Sequence, residues 1–112
     1  MHFGERVHLV DTSEQNIWHS GIAETDGIIS CTVAGPPPLD SNAGTFVYGY
    51  VRPPGGSSED DILLGSMHPL DWSPESFTMP VRKGEMWLVR LGVDYVNDDP
   101  VDLDIYWTPI SA

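Results

Sequence analysis

Hydrophobic and polar residues alternate along most of this chain in short runs, and turn-forming residues separate the runs. In 101–107, apolar and polar residues alternate strictly until Tyr106, which is the period of a strand with one face in water. Residues 45–51 are dense in the β-branched and aromatic side chains that strands favour. The pattern predicts eight strands, at 6–10, 17–23, 27–34, 45–51, 62–67, 76–81, 86–93 and 101–107.

The segments between these runs are rich in proline, glycine and aspartate. Asp26–Gly27 predicts a tight turn, because both residues tolerate positive φ, and residues 53–61 have the composition of an exposed loop. Ten prolines and eleven glycines argue against long helices. The chain has 112 residues and no repeat or linker. We therefore expect one all-β domain over residues 1–112, an antiparallel β-sandwich of jelly-roll type.

Several predicted strands are apolar on both faces, whereas a strand of a single sandwich has one polar face. Phe46, Tyr48 and Tyr50 share one face, and Val47 and Val51 share the other. The same feature recurs in 27–34 and 86–93. Since a domain of this size has one core, the second apolar face needs another cover. We expect a second copy to supply it, in a homotrimer or a dimer; long loops of the same chain are the alternative.

The charge of the chain is strongly unbalanced. Seventeen Asp and Glu residues face five Lys and Arg residues, and Lys83 is the only lysine, for a formal charge of −12 at pH 7. Such a surface repels phosphate backbones and anionic membranes, which argues against nucleic-acid and membrane partners. The opposite use stays open, in which an acidic domain imitates DNA and inhibits a DNA-binding protein. No apolar run approaches the length of a membrane span, and residues 1–6 lack the apolar segment of a secretory signal.

The sequence holds no recognisable catalytic motif and no metal-binding or nucleotide-binding spacing. Cys31 lies in an apolar run and is expected to be buried. An enzyme that uses His19 or His68 with a nearby acid stays an open alternative, because active sites assemble from distant residues. No cofactor is predicted.

One acidic cluster invites comparison with a calcium site. Its members are Asp94, Asp98, Asp99, Asp102 and Asp104. Ca²⁺ takes several carboxylate and carbonyl oxygens, but the spacing here matches no EF-hand. Asp102 and Asp104 alternate as the solvent face of a strand would, so a solvated surface is the preferred interpretation and no metal is predicted.

Two tryptophans are candidates for ligand binding. Trp72 lies beside Asp71 in a polar loop, and Trp18 lies beside His19. Sugar-binding proteins place an aromatic ring against the apolar side of a pyranose and flank it with polar groups. A structural role for Trp72, closing one end of the sandwich, is the alternative.

Three segments resemble small trimeric jelly-roll domains of phage and prophage fibres. They are 24–29, with Thr-Asp-Gly at a strand entry; 77–87, with Pro-Val, a basic pair, glycine and an acid before an aromatic strand; and 104–110, which ends in Pro-Ile. The resemblance implies a trimer similar in shape to C1q/TNF-like domains and trimeric lectins, which binds surface glycans or caps a fibre. From the loop aromatic residues beside acids and the absence of catalytic motifs, we expect a non-catalytic binding module with a carbohydrate ligand. An acidic interaction protein and an enzyme of unknown class are the alternatives.

Overall fold

The computed structural model describes residues 2–14, 16–34, 45–68, 75–93 and 102–111. These residues form nine strands and one turn of 3-10 helix, Ser58–Asp60. The strands are β1 His2–Phe3, β2 Val7–Thr12, β3 Ile17–Ile22, β4 Gly27–Ala34, β5 Thr45–Arg52, β6 Ile62–Met67, β7 Glu75–Val81, β8 Met86–Val93 and β9 Asp102–Ser111. All eight predicted strands are present; the two-residue β1 and the 3-10 turn were not predicted.

The strands form two antiparallel sheets that pack face to face. Sheet 1 has the order β1-β9-β4-β7, and β2 pairs with β9 on the same edge as β1; sheet 2 has the order β3-β8-β5-β6. After β2 the chain changes sheet at every connection except the one between β5 and β6. The predicted all-β antiparallel sandwich is therefore confirmed.

The core lies between the sheets and is built from every second residue of each central strand. Ile29 of β4, Met79 of β7, Leu91 of β8 and Ile105 of β9 are all completely buried. Because successive side chains of a strand point to opposite faces, their neighbours in sequence lie on the outer faces of the sandwich. The two outer faces differ in character, and this difference positions the candidate sites.

The segment around Asp26 joins the ends of three strands. The main-chain oxygen of Asp26 accepts a hydrogen bond from the Ile110 amide at 2.8 Å, and the Asp26 carboxylate accepts one from the Lys83 amide at 2.9 Å. Gly84 has a φ of 87°, which favours glycine in the turn between β7 and β8. The chain bends at 24–26, next to the tight turn predicted at Asp26–Gly27, but Gly27 does not have a positive φ, since it is the first residue of β4 and pairs with Val81.

Packing explains why a glycine stands at that position. A Cβ atom on Gly27 would lie 2.3 Å from the ring of Trp107. Glycine thus lets the indole lie against the β4 backbone.

None of the segments described above forms an apolar helix long enough to cross a membrane.

Candidate functional site

The second apolar layer expected from the sequence is concentrated on the outer face of sheet 2. We call this surface the aromatic face and define it by Trp18, Phe46, Tyr48, Tyr50 and Arg90. The strand register sets Trp18 of β3 opposite Arg90 of β8, and Arg90 opposite Tyr48 of β5. The side chains of β5 and β8 face outward because alternate residues of these strands, such as Val47 and Val89, are buried in the core, and the register puts Trp18 on the same face as Arg90. The outward residues Ser30 and Thr32 of β4 make the outer face of sheet 1 polar by contrast.

The rings of the aromatic face form one continuous series. The centroids of Phe46 and Tyr48 lie 4.9 Å apart, those of Tyr48 and Tyr50 6.4 Å apart, and those of Tyr50 and Trp18 5.8 Å apart. The last two pairs are inclined at 67° and 55°. These separations fall in the range in which aromatic pairs attract each other. The series spans β5 and β3, two strands that β8 separates.

Arg90 places a positive charge within this ring series. Its guanidinium carbon lies 5.7 Å from the Trp18 ring centroid, within the distance of a cation–π contact. Nη2 donates a hydrogen bond of 3.3 Å to Oδ1 of Asn16. Nε is buried and has no hydrogen-bond partner within the described residues. The hydrogen bond to Asn16 thus uses only part of the donor capacity of the Arg90 guanidinium.

Sheet 2 differs from the rest of the chain in charge. Its four strands contain no Asp or Glu, although the chain has seventeen, and they carry two of the four arginines. The second, Arg52, donates to Asp61 from Nε at 2.6 Å and from Nη2 at 3.0 Å. This hydrogen bonding holds the pKa of the Asp61 carboxyl below its usual value. The aromatic face is thus close to neutral in a strongly acidic protein.

Solvent reaches the rings of this face more than the aliphatic side chain that lies between them. Trp18 is 49% exposed and Tyr48 is 36% exposed, whereas Leu88, which lies between β3 and β5, is 8% exposed. Ile22 and Leu63, at opposite edges of the sheet, are 65% and 50% exposed. A surface with accessible rings and few charges suits contact with another molecule.

The structure separates the predicted pair Trp18 and His19. Trp18 faces outward, while His19 lies opposite the completely buried Val89 and so points toward the interior side of β3. The Nε2 atom of His19 is buried, with no hydrogen-bond partner in the described part of the chain. The two side chains therefore do not share one surface.

The other predicted candidates fall mainly outside the described residues. Trp72 and Asp71 lie there, as do three members of the acidic cluster, Asp94, Asp98 and Asp99. His68 follows β6 and is exposed.

Asp104, by contrast, has a defined partner on the outer face of sheet 1. Its Oδ1 lies 2.9 Å from Nε2 of His8, and the His8 ring stacks on Tyr106 at 4.6 Å between centroids. Asp102 is exposed at the start of the same strand. The described ranges hold no group of three His, Cys, Asp or Glu side chains that could bind a metal ion.

Cys31 is completely buried in β4, as the sequence predicted. Burial raises the pKa of its thiol to about 12, because the thiolate would lose hydration. The thiol therefore stays protonated at neutral pH and is a core side chain rather than a nucleophile.

Sequence reasoning grouped Phe46, Tyr48 and Tyr50 correctly by strand alternation but did not include Arg90 in a site. The alternation of 86–93 was the available signal, since it puts the Arg90 side chain on the opposite face of the strand from the core residues Val89 and Leu91.

Comparison of the chain with protein-family models, curated proteins and solved structures gave no match, so the geometry of the aromatic face is the basis for a functional assignment.

Proposed function

We propose that this protein is a non-catalytic binding module that binds carbohydrate on its aromatic face. One observation carries the proposal, the continuous series of rings from Phe46 to Trp18 on a sheet without acidic residues. The C–H face of a pyranose packs against such rings, and the guanidinium of Arg90 supplies donors for sugar hydroxyls. A mostly apolar surface with a few placed polar groups is typical of small-ligand sites.

The strand order supports the proposal at the level of fold. We infer a jelly roll from the two four-stranded sheets, β2-β9-β4-β7 and β3-β8-β5-β6. The chain crosses from one of these sheets to the other at nearly every connection. Jelly rolls are double-sheet sandwiches of eight strands, and lectin domains are among the proteins built on them. Because one fold hosts many functions, this is support by analogy, and the ring series remains the principal argument.

Replacing Trp18 by alanine is expected to weaken glycan binding at least about tenfold, because truncating a tryptophan that is a hot spot of an interface costs about 2 kcal/mol or more. A glycan array with the purified protein identifies the ligand, and calorimetric titration compares the variants. Trp72→Ala is the comparison variant, since Trp72 is the loop tryptophan that the sequence favoured.

Two results would contradict this assignment. One is an array without signal, and the other is equal affinity of the wild type and Trp18→Ala. Loss of binding in Trp72→Ala alone would place the site on the loop instead.

The same surface supports a second role as an alternative to sugar binding, the contact between copies of the chain, in which another copy covers the rings. Two molecules of charge −12 repel each other, and sheet 2 is the sheet whose strands bring no carboxylate to such a contact. The exposed side chains at both of its edges, Ile22 and Leu63, extend the apolar area beyond the rings. A trimer remains the preferred state, with a dimer as the alternative.

For this second role, light scattering is expected to give a mass of three or two times 12.3 kDa for the wild type. Tyr48→Glu should return the protein to a monomer, because it adds a charge at the centre of the contact. Ser76→Glu adds the same charge on the outer face of sheet 1 and should leave the mass unchanged. A wild type that is monomeric across the concentration range would rule out this contact.

A further inference from the structure

The outer face of sheet 1 carries a depression of about 550 Å³ that is separate from the aromatic face. We call it the Arg6 depression. It is lined mainly by Phe3, Arg6, Ile28, Ser30, Thr78 and Thr108. Among the described residues that line it, the single charged one is the positive Arg6, whereas the chain as a whole has a charge of −12.

An irregularity at the edge of the sheet brings Arg6 to this position. Phe3 pairs with Ile110 and Val7 pairs with Trp107, so the N-terminal segment advances four residues where β9 advances three. The extra residue makes 4–6 leave the sheet, and such bulges commonly redirect a side chain. Gly4 fixes the segment, because its amide donates to the Pro109 oxygen at 2.7 Å.

Hydroxyl groups form the floor of the depression. Ser30 of β4 pairs directly with Thr78 of β7, and both face outward because Ile29 and Met79 are completely buried. On the other side of β4, Thr108 of β9 pairs with Ile28. Side chains that are directly opposite in an antiparallel pair lie about 5 Å apart, so the hydroxyls of Ser30 and Thr78 lie within the span of one sugar ring.

The remaining lining adds a charge and an apolar wall. Phe3 is 61% exposed, and its ring is available for contact. No carboxylate within the described residues lies at ion-pair distance from Arg6. A guanidinium without an acidic neighbour binds a carboxylate through two parallel hydrogen bonds.

We propose that the Arg6 depression binds a pyranose that carries a carboxylate, as in a uronic or a sialic acid. Arg6 pairs with the carboxylate, Ser30 and Thr78 bind ring hydroxyls, and Phe3 with Ile28 contacts the apolar side of the ring. The negative charge of the rest of the molecule repels such a ligand. A second depression in the described part of the chain also has an arginine in its lining, Arg82, but Glu85 lines it as well, whereas the Arg6 depression has no acidic lining residue. The site lies on the opposite sheet from the aromatic face and does not depend on it.

The test measures the affinity of the intact protein for glucuronate, N-acetylneuraminate and glucose by ligand-observed NMR titration. We expect at least one acidic sugar to bind at least about tenfold more tightly than neutral glucose, in line with the strength of charge-assisted hydrogen bonds. Binding of glucuronate alone would identify a uronic acid site, and binding of N-acetylneuraminate alone a sialic acid site. Added salt should weaken the binding, because Arg6 is exposed.

The variants separate this site from general charge effects. Arg6→Gln should abolish the preference for the acidic sugar. Arg6→Lys should keep part of that preference, because lysine keeps the positive charge but lacks the two parallel donors of arginine. Arg82→Gln removes the same charge from an exposed position just after β7 and should bind like the wild type. Trp18→Ala should also bind like the wild type, so failure of this site and failure of the aromatic face give different results.

Three results would overturn the proposal. The first is absence of binding at about 20 mM sugar, and the second is equal affinity for glucuronate, N-acetylneuraminate and glucose. The third is an equal loss of affinity in Arg6→Gln and Arg82→Gln. Thermal unfolding curves like that of the wild type must first show that each variant is folded.

Discussion

Replacing Ile105 by alanine is expected to lower the free energy of unfolding by about 2–5 kcal/mol. Ile105 is completely buried in β9, which pairs with β2 on one side and β4 on the other. Its direct neighbours across the strands are Val10 and Cys31. Truncation removes apolar contacts and leaves a cavity that strands paired on both sides cannot readily close.

Urea denaturation followed by tryptophan fluorescence measures this effect. Ile105→Val should lower the free energy of unfolding by about 0.5–1.5 kcal/mol, which gives a graded series at one position. Asp102→Ala changes an exposed residue of the same strand and should stay within about 0.5 kcal/mol of the wild type. A loss below about 1 kcal/mol in Ile105→Ala would mean that the core around β9 repacks, contrary to the burial described above.

The alternation that predicts Ile105 as a core residue also shows how far the sequence determines the fold. A period of two needs no knowledge of strand partners, so six of the eight main strands follow from the sequence to within one residue at each end, whereas β2 extends two residues and β9 four residues beyond the predicted end. The order of the strands does not follow, because pairing joins residues far apart in the chain. His8 lies opposite Tyr106, and Trp18 lies opposite Arg90.

The candidate sites follow from the sequence only in part, for the same physical reason. Alternation places Phe46, Tyr48 and Tyr50 on one face. Trp18 joins them only because β3 and β5 both pair with β8, which the sequence pattern does not show. Neighbours in sequence can also mislead, since adjacent strand residues such as Trp18 and His19 point in opposite directions.

The Arg6 depression and the glycines that pack against rings show a further limit. The position of Arg6 depends on one extra residue opposite β9, which is visible only once the register is known. Gly27 has the sequence context of a turn, yet its role is to make room for Trp107. A glycine required by packing and a glycine required by backbone conformation look alike in a single sequence.

Gly65 is a second glycine of the packing kind, and Gly65→Ala is expected to lower the free energy of unfolding by about 1–3 kcal/mol. Gly65 of β6 pairs with Gly49 of β5, and the ring of Phe77 extends from sheet 1 over this pair. A Cβ atom on Gly65 would lie 2.1 Å from the ring, so the ring or the strand must move. Urea denaturation measures the change.

The sign of the change makes this test decisive. Without a steric conflict, Gly→Ala stabilises a protein by about 0.4–1 kcal/mol, because the unfolded chain loses conformational freedom. Phe77→Leu removes the ring, so Gly65→Ala should be less harmful in that background, with a coupling free energy of about 0.5–3 kcal/mol between the two positions. Ser66→Ala, on the outer face of the same strand, should change stability by less than about 0.5 kcal/mol. A stabilising Gly65→Ala in the wild-type background would show that the Phe77 ring does not fill the space between the sheets at this point.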